Sequence, residues 1–227
     1  MRNQLLASLP PDVLLALLPR FTSVVLTTRQ VIYTPDTPID AVFFPESGMF
    51  SLVDDLEDGM RAEVGVIGCE GMLGMPLLAG VDSSFVEAQV QMAGTALRMS
   101  AEAFSEEIEA NAAFRRILMR YNEGLQAQIM QTAACNANHG LEQRLARWLL
   151  MAHDRADGDE LPLTQDFMAL MLGVHRPSIT ITAGILQRAG LIRYATGRVT
   201  VLDRASLEAA ACECHGAVRR RFAALLG

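Results

Sequence analysis

The residues readiest for chemistry lie between Leu163 and Leu202. Arg176 follows the run Gly173-Val174-His175 and precedes Pro177-Ser178. An arginine at the start of a helix can offer its guanidinium to the O6 and N7 of a guanine in bidentate fashion. Gln165, His175, Ser178 and the downstream Arg198 are of types that hold phosphates. Other chemistries find little support. The chain has no nucleophile elbow, no HExxH and no phosphate loop closed by lysine, since it contains no lysine at all. Its histidines are His139, His153, His175 and His215, with His139 and His153 on or beside interdomain helices, so neither a triad nor an enzyme is expected. Cys212-Glu213-Cys214-His215 carries metal-type donors, and helical spacing would place Cys212 and His215 on one face. A zinc site usually needs four ligands, so no metal is expected. The acidic run Asp54–Gly59 lacks the spacing of a calcium loop and reads as a hairpin turn. Arg219, Arg220 and Arg221 add phosphate attraction or favour a helix C-terminus.

These side chains need a particular scaffold. Thr164 can cap a first helix, with Asp166 in its first turn and Phe167, Leu170 and Met171 inward. Gly173 allows a sharp turn, Pro177 suits the first turn of a second helix, and Gly190 ends that helix. Ile179, Ala183 and Leu186 would bury one face, leaving Ser178, Ile181 and Ile185 nearer solvent. Two β-prone runs around Thr196-Gly197 then make a hairpin. A helix pair followed by a hairpin is a winged helix-turn-helix, whose second helix enters the major groove.

Upstream, His139–Ala152 reads as a helix with Leu141, Leu145, Trp148 and Leu149 on one side. Ser100 to about Ala137 reads as one long helix whose opposite face carries Arg115, Arg116, Arg120 and Glu123. Its apolar stripe is expected to pair with a second copy through Phe114, Leu118, Tyr121, Leu125, Ile129 and Thr132. From Phe21 to Met99, seven short β-prone runs alternate with turn residues, predicting a sandwich or barrel interrupted by the loop Gly68–Pro76. Short helices broken at Pro10-Pro11 precede them.

The 227 residues are 51% hydrophobic and carry a net charge of −7. That charge alone argues against nucleic acid, but it is unevenly spread. Eight arginines face 17 acids up to Gly140, whereas eight face only four acids from Leu163 onward. The sign change predicts an acidic N-terminal part and a smaller basic one. No apolar run reaches the roughly 18 residues of a membrane span, and the N-terminus makes a poor signal peptide. A cytoplasmic protein with reduced thiols and no membrane partner is expected.

Glu142–Leu150, Leu163–Ile192, Phe44-Pro45-Glu46-Ser47-Gly48 and Gly71-Met72-Leu73-Gly74 together resemble the Crp/Fnr family of bacterial transcription regulators. The resemblance implies an α+β fold: an N-terminal antiparallel β-roll of the cyclic-nucleotide-binding type over 1–105, a dimerisation helix over 106–137, and a winged helix-turn-helix over 138–227. It implies a homodimer on a pseudo-palindromic site in double-stranded DNA, with RNA polymerase as a further partner. DNA contacts are expected from Thr164, Gln165, His175, Arg176, Ser178, Ile181 and Arg198. Pro177 cannot accept from cytosine and Ile181 can touch only a thymine methyl, so the operator should differ from the best-known family consensus. An effector pocket would draw on Gly71, Met72, Leu73, Asp82, Ser83, Ser84, Ile129 and Met130. In cyclic-AMP-binding members a Glu and an Arg hold the ribose and the cyclic phosphate. Met72 and Asp82 stand at those positions here, so cyclic AMP is not expected to bind in the usual way. No Cys precedes Cys69, so the family's N-terminal iron–sulfur sensor is not expected. Cys69 is the lone haem-ligand candidate in the β-domain. No cofactor is expected and the effector is unknown.

Overall fold

The computed structural model describes residues 1–57 and 59–226. Asp58, inside the expected Asp54–Gly59 turn, and Gly227 lie outside the described residues. Two compact units emerge. The first takes Met1–Leu52, Gly65–Ala127 and the segment from Arg221 on; the second takes Val53–Val64 and Gln128–Arg220.

The first unit opens with α1 (Gln4–Ala7) and α2 (Pro11–Leu17), broken at Pro10 as expected. Asn3 caps α1 by accepting from the Leu6 N–H, and its side-chain amide donates to the carbonyls of Pro45 and Gly71. The sheet comprises β1 (Thr22–Leu26), β2 (Val31–Tyr33), β3 (Ala41–Asp55), β4 (Arg61–Ile67) and β5 (Glu87–Ser100). Its order is β1-β5-β3-β4, with β2 also on β5; β1 and β2 run antiparallel to β5. Four of the expected short runs have merged into the long strands β3 and β5. Gly48 and Gly94 explain how β3 continues past Pro45. Gly48 has φ 79°, and a Cβ on Gly94 would fall 2.2 Å from the Ser47 carbonyl oxygen. Glycines permit this close crossing of neighbouring strands without ending either one. Phe44, Phe50, Leu26, Ile67 and Met99 fill the core.

The expected single helix after Ser100 is two. Ser100 caps α3 (Ala101–Ala110). Asn111 then leaves helical geometry, and its Oδ1 accepts from the N–H groups of Ala113 and Phe114 at the start of α4 (Ala112–Asn138). A side-chain acceptor aimed at the first free N–H groups restarts the helix.

In the second unit α5 (Leu141–His153) is central, with every residue from Leu145 to Ala152 buried. The indole N–H of Trp148 donates to the buried Glu63 carboxylate over 2.7 Å. After β6 (Glu160–Leu161) come α6 (Gln165–Met171), α7 (Arg176–Arg188), β7 (Ile192–Ala195), β8 (Arg198–Val201), α8 (Arg204–Ala210) and α9 (Cys214–Leu226). The small sheet has the order β6-β8-β7 and is antiparallel. Among the described residues, no single helix is long and apolar enough to cross a membrane.

Candidate nucleic-acid interface

The pair α6–α7 is built by its caps. Thr164 Oγ1 accepts from the Phe167 N–H at 3.1 Å and starts α6. At its end the Gly173 N–H bonds to the Leu170 carbonyl and the Val174 N–H to the Ala169 carbonyl, with Gly173 at φ 61°. This paired closure around a left-handed glycine stops the helix and redirects the chain. Arg144 clamps the same corner by donating to the Leu172 carbonyl at 2.6 Å. α7 ends the same way at Gly190, with φ 77°. The two helix axes meet at 107°, within the range of DNA-binding helix-turn-helix units.

Ile179, Ala183 and Leu186 are buried as expected, and so is Thr182. On α6 the inward residues are Met168, Ala169 and Met171, whereas Phe167 and Leu170 are half-buried. Phe167 instead rests beside Trp148, ring centroids 6.3 Å apart. The wing turn is as expected: Thr196 and Gly197 both have positive φ, the geometry that suits a two-residue hairpin.

The opposite side of α7 stays open. Arg176 lies in its first turn with 62% of its side chain exposed, and Ile181 is 66% exposed. Arg176 Nε stands 3.4 Å from Asp166, also well exposed. Such a surface pair is weak and can be exchanged for a partner's groups. His175 is the exposed N-cap residue, and Ser178 is half-buried. Gln165 Oε1 accepts from Thr180 Oγ1 at 2.7 Å, which joins the start of α6 to the face of α7. Sequence reasoning missed Thr180. Its signal was there: Thr180 lies four residues after Arg176, on the same face. Arg198, on the wing, is ion-paired to Glu160 at 2.5 Å and still exposed.

Two known family models match the chain. A cyclic nucleotide-binding domain covers residues 23–111 and a Crp-like helix-turn-helix domain covers 143–210. The chain belongs to the Crp/Fnr family. It is a DNA-binding transcription regulator of that type, carrying a cyclic-nucleotide-binding-like β-domain ahead of its helix-turn-helix. Solved structures share this fold at low identity. A CRP-family transcriptional regulator from Thermus thermophilus is 21% identical, with 83% of this chain and 96% of that chain covered and a TM-score of 0.69. FixK2 from Bradyrhizobium japonicum is 16% identical over 85% and 98%, with a TM-score of 0.71. The c-di-GMP-responsive global regulator CLP of Xanthomonas campestris is 17% identical over 86% and 100%, with a TM-score of 0.67. No curated protein sequence matches the chain significantly.

The residues expected to form an effector pocket are divided between the units. Gly71, Met72, Leu73, Asp82, Ser83 and Ser84 belong to the first; Ile129 and Met130 belong to the second. Met72 and Leu73 have no exposed surface, and Leu73 bridges to Phe43. Gly71 abuts Tyr121 so closely that a Cβ would fall 2.2 Å from its ring. Asp82 is exposed, Ser83 half-buried, and Ser84 buried with its hydroxyl accepting from the Val86 N–H. Ile129 is half-buried and Met130 exposed.

The stripe expected to face a second copy needs correction. Phe114, Leu118 and Tyr121 are completely buried within the chain's own first unit, and Leu125 is nearly so. Phe114 packs against Phe44 and Phe104, and Tyr121 against Phe222. Thr132, half-buried in the second unit, accepts from Arg147 Nη2 at 2.9 Å. Apolarity marked the side of α4 that its own domain covers. The exposed side carries Met119, Glu123, Gln126, Met130, Ala133 and Ala137. Their alternating steps of four and three residues follow a coiled-coil seam.

His215 does not share a site with Cys212. Its Nε2 lies 2.8 Å from Asp154 Oδ2. Burial works to raise the Asp154 carboxyl, but hydrogen bonds from His215 and Arg204, and their charges, outweigh it and pull its pKa down to about 2.

Proposed function

We propose that the protein is a homodimeric, sequence-specific DNA-binding regulator that reads its operator through the first turns of α7. The observation that carries this reading is the solvent-facing Arg176, displayed at the start of a helix whose other face is buried by Ile179, Ala183 and Leu186. Arg176 is the guanine-reading side chain. Ile181 and Thr180 offer a methyl-sized and a hydroxyl contact beside it, while Gln165, His175, Ser178 and Arg198 hold backbone phosphates. Dimerisation uses the exposed α4 seam from Met119 to Ala137, with the half-buried Ile129 at its edge.

The β-domain does not take cyclic AMP in the family's usual way. Supporting this, Met72 is packed into the core and Asp82 offers a carboxylate rather than a guanidinium. The protein works in the cytoplasm, with RNA polymerase as the natural next partner of a DNA-bound regulator.

Gel-shift titration against the DNA upstream of its own coding sequence, across a salt series, tests the reading. A discrete site with affinity falling steeply as salt rises is expected. Salt-insensitive binding, or none, would contradict it. Titration calorimetry with cyclic AMP is expected to show no micromolar binding.

A further inference from the structure

Four metal-type donors that are far apart in sequence meet inside the second unit. Cys135 and His139 stand one turn apart at the end of α4. Cys212 and Cys214 flank the corner between α8 and α9. Cys135 Sγ lies 3.5 Å from Cys212 Sγ, and Cys214 Sγ lies 3.6 Å from His139 Nδ1. All four donor atoms lie within 4.8 Å of one another. A tetrahedral ion with metal–sulfur bonds of about 2.3 Å and metal–nitrogen bonds of about 2.0–2.1 Å would have edges of roughly 3.5–3.8 Å. The set is therefore sized for one ion. It is too tight for a cluster whose ligands each hold a different iron.

We propose that Cys135, His139, Cys212 and Cys214 form a closed, tetrahedral site for a single zinc ion, which ties the end of α4 to the α8–α9 corner.

The surroundings supply what such a centre requires. The other ring nitrogen of His139, Nε2, is 3.5 Å from the Glu213 carboxylate. A carboxylate on the far side of a ligating imidazole fixes the tautomer and aims the free nitrogen at the metal. Gln131 Nε2 donates to Cys214 Sγ at 3.1 Å, a hydrogen bond that steadies a thiolate. Three thiolates on a divalent ion leave one net negative charge, and Arg147 is there to balance it. This guanidinium is buried, its Nε has no hydrogen-bond partner, and no carboxylate pairs with it among the described residues. A buried cation without a carboxylate is costly unless another anion lies near. Its charge acts on the Cys135 thiol, against the burial that pushes that thiol up.

Three sulfurs and one imidazole suit zinc, and four protein ligands leave no position open for catalysis, so the role is structural. The ligands span the whole helix-turn-helix and wing: Cys214 is 75 residues from His139. An ion closing so long a loop stabilises everything between its ends.

Elemental analysis of the untagged full-length chain, purified under reducing conditions without added metal, tests this directly. One zinc per chain is expected. Cobalt(II) added to the chelator-stripped wild type should give the visible spectrum of a tetrahedral thiolate site. Cys212→Ser and His139→Ala should lose most of the zinc, while Cys69→Ser should keep it. A metal-free wild type that also gives no tetrahedral cobalt spectrum would overturn the proposal. So would iron in place of zinc, or a Cys135–Cys212 disulfide in protein taken from a reducing cytosol.

Discussion

The helix-turn-helix and the β-domain both lean on glycine, with opposite results. At Gly173 and Gly190 the left-handed backbone ends a helix and leaves Arg176, Thr180 and Ile181 standing in solvent between two firm corners. At Gly71 and Gly74 the missing Cβ lets the loop press onto Tyr121 and Val42, and Met72 and Leu73 go into the core. One set leaves its neighbours in solvent, and the other packs its neighbours into the core. Glycine spacing signals a close approach or a turn. The neighbouring side chains decide whether a site results.

Four substitutions press on that contrast, the largest effect first. Phe114→Ala removes a ring packed between Phe44 and Phe104 and should cost about 3–5 kcal/mol in urea unfolding. Intact stability with a monomeric product would return Phe114 to an interface between copies. Gly71→Ala drives a methyl into the Tyr121 ring and should cost roughly 1–3 kcal/mol; a neutral result would mean the β-domain has room the packing denies. Asp154→Asn tests the second unit's polar support. The Asp154 carboxyl is held at about 2, against 3.8 ordinarily, so its contribution is complete above roughly pH 4 and fades as pH falls through about 2. That contribution is on the order of 1–2 kcal/mol. Acid melts of wild type and variant should converge within this window, and a constant gap down to pH 2 would deny it. Gly173→Ala should cost only about 1 kcal/mol, because its φ is strained but the nearest neighbour, Ala62 Cβ, is 3.5 Å away. A larger loss there than at Gly71 would reverse the comparison.

The legible parts of the sequence were those ruled by local rules. Thr164, Gly173, Pro177, Gly190 and Thr196-Gly197 each act on the nearest few residues, so the winged helix could be read directly. The strands were under-read because Gly48 and Gly94, which look like breaks along the chain, are crossings between neighbours. The apolar stripe from Phe114 to Tyr121 was seen, but periodicity cannot say whether a helix face meets its own domain or a copy. Cys212 and Cys214 were seen too. Their partners, Cys135 and His139, became visible only when the fold brought α4 beside the α8–α9 corner.

The proposed function has two halves: α7 reads DNA, and the β-domain does not take cyclic AMP through the family's usual contacts. Binding-site selection from a random DNA pool, run with wild type and Arg176→Ala, tests the first half most directly. The wild type should select a two-fold symmetric site. The variant should lose its preference at one base pair per half-site, by about 1–3 kcal/mol, with the rest of the site intact. An equal loss of affinity on every sequence would contradict the assignment, because Arg176 would then touch only phosphate.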